Sequence, residues 1–561
     1  MQENKRKQQS FEYGAIILLC STMLVKAIGA CFKIPLARIL GDLGYGYFSS
    51  AYDLFLPIYA LAMAGLPIAI SRVVAEFMAK GRFLDARKSL KITSRIFIVT
   101  GCTAAIIMLL LIKPFVNLTD ETGKTVYSIY AIVPSLFFCC VMSTYRGYFE
   151  GLRNMYPTAI SDVIEALGKL VLGLGFSYAI LKLTNNVAFA AAGAMLGITV
   201  GGAASATFLY LRYKIKGDAI TTRELSESPH AESGKKIAKT LIVIAIPIVM
   251  TSLANNISSL VDVTMVKWQL NRLMENSSDM IRNMYSASIR DYNLGVPKAL
   301  TNAELPTLLY GVRSKAYTLY NLIPTITSVL GVSALPVVAT AWTNKDKTLL
   351  KRNIESPMKF TALISMPVGM GFLFMGSEIM KLVYSTTASY EIGGTMLRIY
   401  GITAIFGGLA TSMTSMLQAI GKEKISLRNV AIGAGLKVVV NLIFVGIPII
   451  NIQGAAIGTA VSFVFIFIAN LLSLIKYTGI KPNLWKSILK PFIAALACGI
   501  STVLLDLSFM GKLGTVLEIA VAALVYVVVL IALNTFEPDD VTSLPKGEKI
   551  LKIFTKFKII R

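Results

Sequence analysis

Several ionisable side chains of this 561-residue chain fall inside long apolar runs. At bilayer depth such a group costs roughly 2.5–3.5 kcal/mol on insertion scales, so it needs a wet cavity, a partner or a function. Lys26 and Lys33 stand two helical turns apart and share a face. They either close salt bridges, for which Asp53 is a partner, or form a cationic wall that attracts an anionic substrate. Arg38 stands nearer the end of the run, where a long side chain reaches the interface without a functional reason. Asp162, Glu165 and Lys169 follow at spacings of three and four, one stripe of a helix with a favourable Glu–Lys pair. That stripe neutralises itself or serves a substrate or ion. Asn255, Asn256 and Asp262 form a third group, with Asn255 and Asp262 on one face, and Lys437 and Asn441 stand one turn apart. A carboxylate facing amides can bind a monovalent cation, and a lysine there can equally take the cation's position. Arg313 either faces a cavity or reaches the interface, and Arg398 by its depth is another interface candidate.

Other chemistries are poorly supplied. His230 is the only histidine, and no Ser/His/Asp or Cys/His arrangement can be assembled around it. The six cysteines lie in apolar stretches without a CxxC pair, so a metal site is not expected. No GxxxxGK[ST] loop is present, which argues against an ATP motor. The expectation is a transporter driven by an ion gradient or membrane potential, not an enzyme. It needs no cofactor, with Na+ or H+ as the candidate coupling ion.

The elements that must position these residues are membrane helices. The chain is 55% hydrophobic and only 15% charged, with a mean hydropathy of +0.65, whereas soluble domains run near a quarter charged. A span needs about 20 mainly apolar residues. The sequence predicts about fourteen: 13–40, 48–79, 90–113, 126–149, 157–182, 187–212, 240–268, 308–341, 357–383, 393–420, 426–449, 453–476, 486–508 and 513–534. Lysines and arginines gather in alternate connections, which places both termini in the cytoplasm. The net charge of +24 reads as this bias together with attraction to anionic headgroups, not as nucleic-acid binding.

Matched residues mark an internal repeat. Leu66-Pro67 and Leu335-Pro336 are 269 apart, Lys169 and Lys437 are 268 apart, and Gly193–Gly197 and Gly454–Gly458 are 261 apart. Six spans per unit is an even number, so both halves enter from one face as a parallel repeat. The expected organisation is an N-lobe over 1–212, a cytoplasmic linker over 213–239, and a C-lobe over 240–476 with an outer insertion at 269–306. Two extra spans over 477–534 and a basic amphipathic tail over 535–561 follow. The insertion is either a surface helix or a cap.

The stretch Lys26–Glu76 carries K-x-x-G at Lys26–Gly29, A-R-I-L-G at Ala37–Gly41 and G-L-P-I-A-I-S at Gly65–Ser71. With Val261-Asp262, Ser333–Pro336 and Lys437-x-x-x-Asn441, it resembles the multidrug/oligosaccharidyl-lipid/polysaccharide exporter superfamily. Within that superfamily it resembles the stage V sporulation protein B and MurJ-like branch. The resemblance implies an all-α integral membrane fold of two six-helix lobes around a central cavity, plus two helices that form a groove for a lipid tail. It also implies alternating access and basic side chains facing a pyrophosphate, and Lys26 matches the first of these by its K-x-x-G context. The second falls at Phe32, with Lys33 one place later. Asp262 and Asn441 match the pattern of a sodium site in some relatives, with Lys437 beside them. The expected function is a flippase for a polyprenyl-pyrophosphate-linked saccharide, peptidoglycan precursor first, in a bacterial cell membrane. Lys26, Lys33 and Arg313 would bind the pyrophosphate, and Asp53, Asn255 and Asn256 would line the cavity. Asp262, Asn441 and Lys437 would form the ion site. The expected partners are a lipid-linked oligosaccharide and the bilayer, and a monomer is expected to suffice. A cation-coupled multidrug exporter and a non-transporting scaffold for envelope or spore assembly are the alternatives.

Overall fold

The computed structural model describes residues 11–63, 65–229, 231–294, 299–384, 389–507 and 510–535. His230, Lys298 and the basic tail after Thr535 lie outside the described residues, as does the side chain of Asn255. Every regular element among the described residues is helical. Eleven of these helices are long and apolar enough to cross a membrane. Hydrocarbon offers no partner for a free backbone N–H or C=O, and a helix satisfies both within itself. Side chains such as Leu110, Leu183 and Leu504 stay exposed on the protein and suit a lipid surround.

The chain divides into two compact units. The first comprises residues 1–274 and 300–311. Its helices are α1 (Phe11–Met63), α2 (Leu66–Ala79), α3 (Phe83–Thr119), α4 (Thr125–Gly151) and α5 (Tyr156–Gly168), followed by α6 (Leu174–Thr184), α7 (Val187–Lys216), α8 (Thr222–Ser226) and most of α9 (Gly234–Met284). The second comprises residues 275–299 and 312–561. It holds the end of α9, α10 (Ser286–Leu294), most of α11 (Leu305–Thr343), α12 (Lys347–Phe374), α13 (Gly376–Tyr384) and α14 (Tyr390–Ala419). It closes with α15 (Glu423–Val445), α16 (Gln453–Thr478), α17 (Lys490–Leu505) and α18 (Lys512–Ala532).

Helix α1 breaks at Gly41, whose φ of 66° and ψ of −163° suit glycine alone. The break falls where the sequence predicts the first outer turn. In the first unit, five residues of wider π turn, Lys169–Gly173, join α5 to α6. Glycines explain how closely this segment packs on α7. A Cβ on Gly197 would stand 2.3 Å from the Gly173 Cα, and one on Gly168 would stand 2.5 Å from the Gly201 Cα.

The linker over 213–239 docks within the first unit. Arg87 donates to both Asp218 carboxylate oxygens at 2.8 and 2.9 Å, and the Tyr148 hydroxyl donates to the same group. Burial opposes ionisation of Asp218, but these bonds and the Ile220 N–H outweigh it and hold its carboxyl below the ordinary range. Arg82 bridges Asp85 and Glu232, each at 2.6 Å. The insertion over 269–306 is anchored separately in each unit. Tyr285 donates to Asn451 at 2.5 Å in the second unit, and Lys124 pairs with Glu304 at 2.5 Å in the first.

Candidate functional site

A cavity of about 360 Å³ lies inside the first unit. One face of α1, through Thr22, Val25, Gly29 and Lys33, forms one wall. Tyr52 and Tyr59 of the same helix, beyond the Gly41 break, add aromatic surface, and Arg146 enters from α4. Asp162, Glu165 and Lys169 come from α5 and the π turn. Such wide turns often mark functional positions, and here the turn begins at a cavity lysine.

The charges form a chain of pairs. Glu165 accepts from Lys169 at 2.8 Å and from Arg146 at 3.1 Å, and Arg146 reaches Asp162 at 3.0 Å. Arg146 Nε also donates to the Ser161 hydroxyl at 2.8 Å. Three cations therefore face two carboxylates in this cavity. Lys33 is the cation outside the chain of pairs. Its Nζ sits 5.5 Å from the Tyr52 ring centroid, and among the described residues no carboxylate lies within 4.0 Å of it. Asp53, the partner that the sequence offers, accepts instead from the Tyr310 hydroxyl at 2.6 Å.

The other sequence-predicted residues stand elsewhere. Lys26 is exposed and outside the cavity lining. A seven-residue step advances a helix by about 20° short of two full turns, so Lys26 lies at the edge of the Lys33 face. Asn256 Nδ2 donates to the Ser252 carbonyl of its own helix at 2.9 Å. Asp262 is buried in the first unit. Arg313, buried in the second unit, lies with its guanidinium 5.5 Å from the Tyr317 ring. Lys437 and Asn441 are buried on α15, where the Asn441 amide crosses α16 at Gly458. Sequence reasoning misses Arg146, which near the end of a span looks like an interfacial arginine. A signal was present, since Asp162, Glu165 and Lys169 leave one carboxylate without a cation.

The apolar helices and the charged cavity describe a multi-pass membrane protein with paired charges held inside a helical unit. The polysaccharide biosynthesis protein family matches residues 13–342, and the chain belongs to that family. Residues 314–524 also match the family described as lipid II flippase MurJ. Stage V sporulation protein B of Bacillus subtilis (strain 168) is 25% identical over 547 residues, covering 96% of this chain and 98% of the relative. A solved structure of the lipid II flippase MurJ in an inward closed conformation shares the fold with a TM-score of 0.65. It is 15% identical and covers 92% of this chain and 98% of its own. An inward-facing multidrug resistance MATE family transporter shares it with a TM-score of 0.63, at 16% identity and covering 83% and 98%. The expected MATE-like fold and the stage V sporulation protein B and MurJ-like branch are thus found.

Proposed function

We propose that this protein is a flippase for a polyprenyl-pyrophosphate-linked saccharide, with a peptidoglycan precursor as first choice, working by alternating access. The observation that carries this reading is the cavity's excess of cation, presented by Lys33. A pyrophosphate cannot cross hydrocarbon unaided, and an ammonium without a carboxylate partner is available to meet it. Tyr52 and Tyr59 offer flat surface for a sugar beside that charge. Lys26 and Arg313 are the further phosphate ligands in this proposal. Asp262 in the first unit and Lys437 with Asn441 in the second are the candidates for coupling to Na+ or H+, with the lysine able to stand in for the ion. The two lobes move as units within a bacterial cell membrane, both termini are cytoplasmic, and one chain suffices without catalysing any covalent step. The match to the family described as lipid II flippase MurJ supports this substrate class.

A multidrug cation exporter would want open carboxylates, and both cavity carboxylates are already paired with basic groups. A non-transporting scaffold would want its buried charges fully paired, which Lys33 is not. The test is complementation of cells depleted of their lipid II flippase. Wild type is expected to restore growth, Lys33→Ala to fail at equal membrane abundance, and Lys26→Ala to give a weaker defect. Full rescue by both variants would reject the cationic wall, and ethidium efflux without rescue would favour the exporter.

A further inference from the structure

A second charged cavity, of about 420 Å³, lies within the second unit, away from the candidate site. Helix α12 ends at Phe374 with Met375 as its cap, and α13 starts afresh at Gly376, so a new set of helix N–H groups opens there. Helix α18 starts likewise at Lys512 after Gly511, whose φ is 62°, with no side chain capping its first turn. Ser377 and Glu378 from the first turn of α13 line the cavity, as do Lys512 and Thr515 from the first turn of α18. Two helix N-termini, each with partial positive charge, thus border one concavity.

Three cations add to this potential, each from a different helix: Lys381 of α13, Arg398 of α14 and Lys512 of α18. Among the described residues none of the three has a carboxylate within 4.0 Å, although Glu378 and Glu391 line the same cavity. Lys381 Nζ instead lies 5.5 Å from the Tyr390 ring centroid. The Arg398 stem crosses α13 where a Cβ on Gly376 would stand only 2.8 Å from its Cγ, so glycine is what lets the arginine lie there. Leu513 in the first turn of α18 and Met510 just before it are exposed apolar side chains beside these charges.

We propose that this cavity binds the phosphate of a lipid headgroup. Arg398 and Lys512 take the phosphate oxygens with the help of the two helix N-termini, and Lys381 closes the third side. The acyl chains lie along the exposed apolar face of α18. The shared chemistry is a phosphate ester, and the lipid source follows from that apolar border. The site is separate from the cavity around Lys33 and does not depend on its function.

The test uses delipidated full-length protein in detergent. Phosphatidylglycerol, diacylglycerol and inorganic phosphate are added separately, with native mass spectrometry and thermal melting as readouts. One retained phosphatidylglycerol and a raised melting temperature are expected, with no response to diacylglycerol. Arg398→Gln with Lys512→Gln is expected to weaken retention at least tenfold, and the control Lys424→Gln, equally exposed but outside the cavity lining, to leave it unchanged. Should the double variant fold poorly, Lys381→Gln alone is expected to weaken retention at an unaltered lipid-free melting temperature. Equal retention by wild type and these variants would overturn the site. Protection by inorganic phosphate with none added by the lipid would overturn the headgroup and leave a free-phosphate site.

Discussion

Two helix crossings, one in each unit, stand at matched positions and end in different chemistry. In the first, Gly193 meets Phe176 and Gly197 meets Gly173; in the second, Gly454 meets Phe444 and Gly458 meets Asn441. The glycines are 261 apart, while Phe176 to Phe444 and Gly173 to Asn441 are each 268 apart. The small residue that permits close approach is kept, and what it admits is changed. Glycine against glycine brings backbone to backbone in the first unit, beside the π turn that starts at Lys169. Glycine against asparagine leaves room for a buried amide in the second, and α15 runs through without a π turn. The lysine one turn away is common to both, but the carboxylate four residues before it is not. Glu165 has Gly433 as its counterpart 268 residues on, where packing against Ile466 replaces the carboxylate. The ends of α7 and α16 differ in the same way. Each stops at a glycine of positive φ, Gly217 and Gly479, which is a common way to end a helix. The next residue is ion-paired Asp218 in one and buried Ile480 in the other.

Removing the charge chain from the first unit should give the largest effect. Arg146→Ala strands Asp162 and leaves Glu165 with one cation; the pairs are half-buried, so the loss falls below the roughly 3–5 kcal/mol of breaking a fully buried pair. Thermal melting in detergent should show a large drop, with partial recovery when Asp162→Asn is added. No drop would mean that water already carries these charges. The linker anchor comes next. Asp218→Asn loses charge-assisted bonds worth about 1.5–3 kcal/mol. Asp218 has a lowered pKa, so its contribution is complete above the ordinary carboxylate value of 3.8 and is lost as pH falls through the folded one. Hydrogen exchange around 217–221 should therefore accelerate in acid in the wild type and lose that pH step in Asp218→Asn. The Gly479–Ile480 turn, where Ile480 is buried, should show no such step.

The helical, membrane-spanning character and the charged stripe were legible because period and hydropathy are local properties. Glu165–Lys169 was readable as a pair because i,i+4 neighbours meet on any helix. Arg146 was not, because its partners lie on another helix and nothing in their spacing announces the contact. Lys26 and Lys33 read alike by spacing, yet a small angular difference at the cavity edge leaves one exposed and one inside. The Gly41 break fell where a turn was expected, but its joining of two spans into one 53-residue run of helix follows from a single backbone conformation.

The crossings themselves supply the smallest expected effect and the sharpest test of the matched design. Alanine at Gly197 places its Cβ 2.3 Å from the Cα and N of Gly173, and backbone on both sides cannot turn away. Overpacking of this kind costs about 1–3 kcal/mol. Alanine at Gly458 meets the Oδ1 of Asn441 first, at 2.1 Å, and a side-chain amide can rotate where a backbone cannot. Gly458→Ala should therefore lower the melting temperature less than Gly197→Ala, and adding Asn441→Gly should recover much of its loss. No second substitution at position 173 can rescue Gly197→Ala in that way, since Gly173 is already the smallest residue. Equal losses at the two glycines would mean that Asn441 is held as rigidly as backbone, so that the second crossing has lost the freedom its exchanged residue provides.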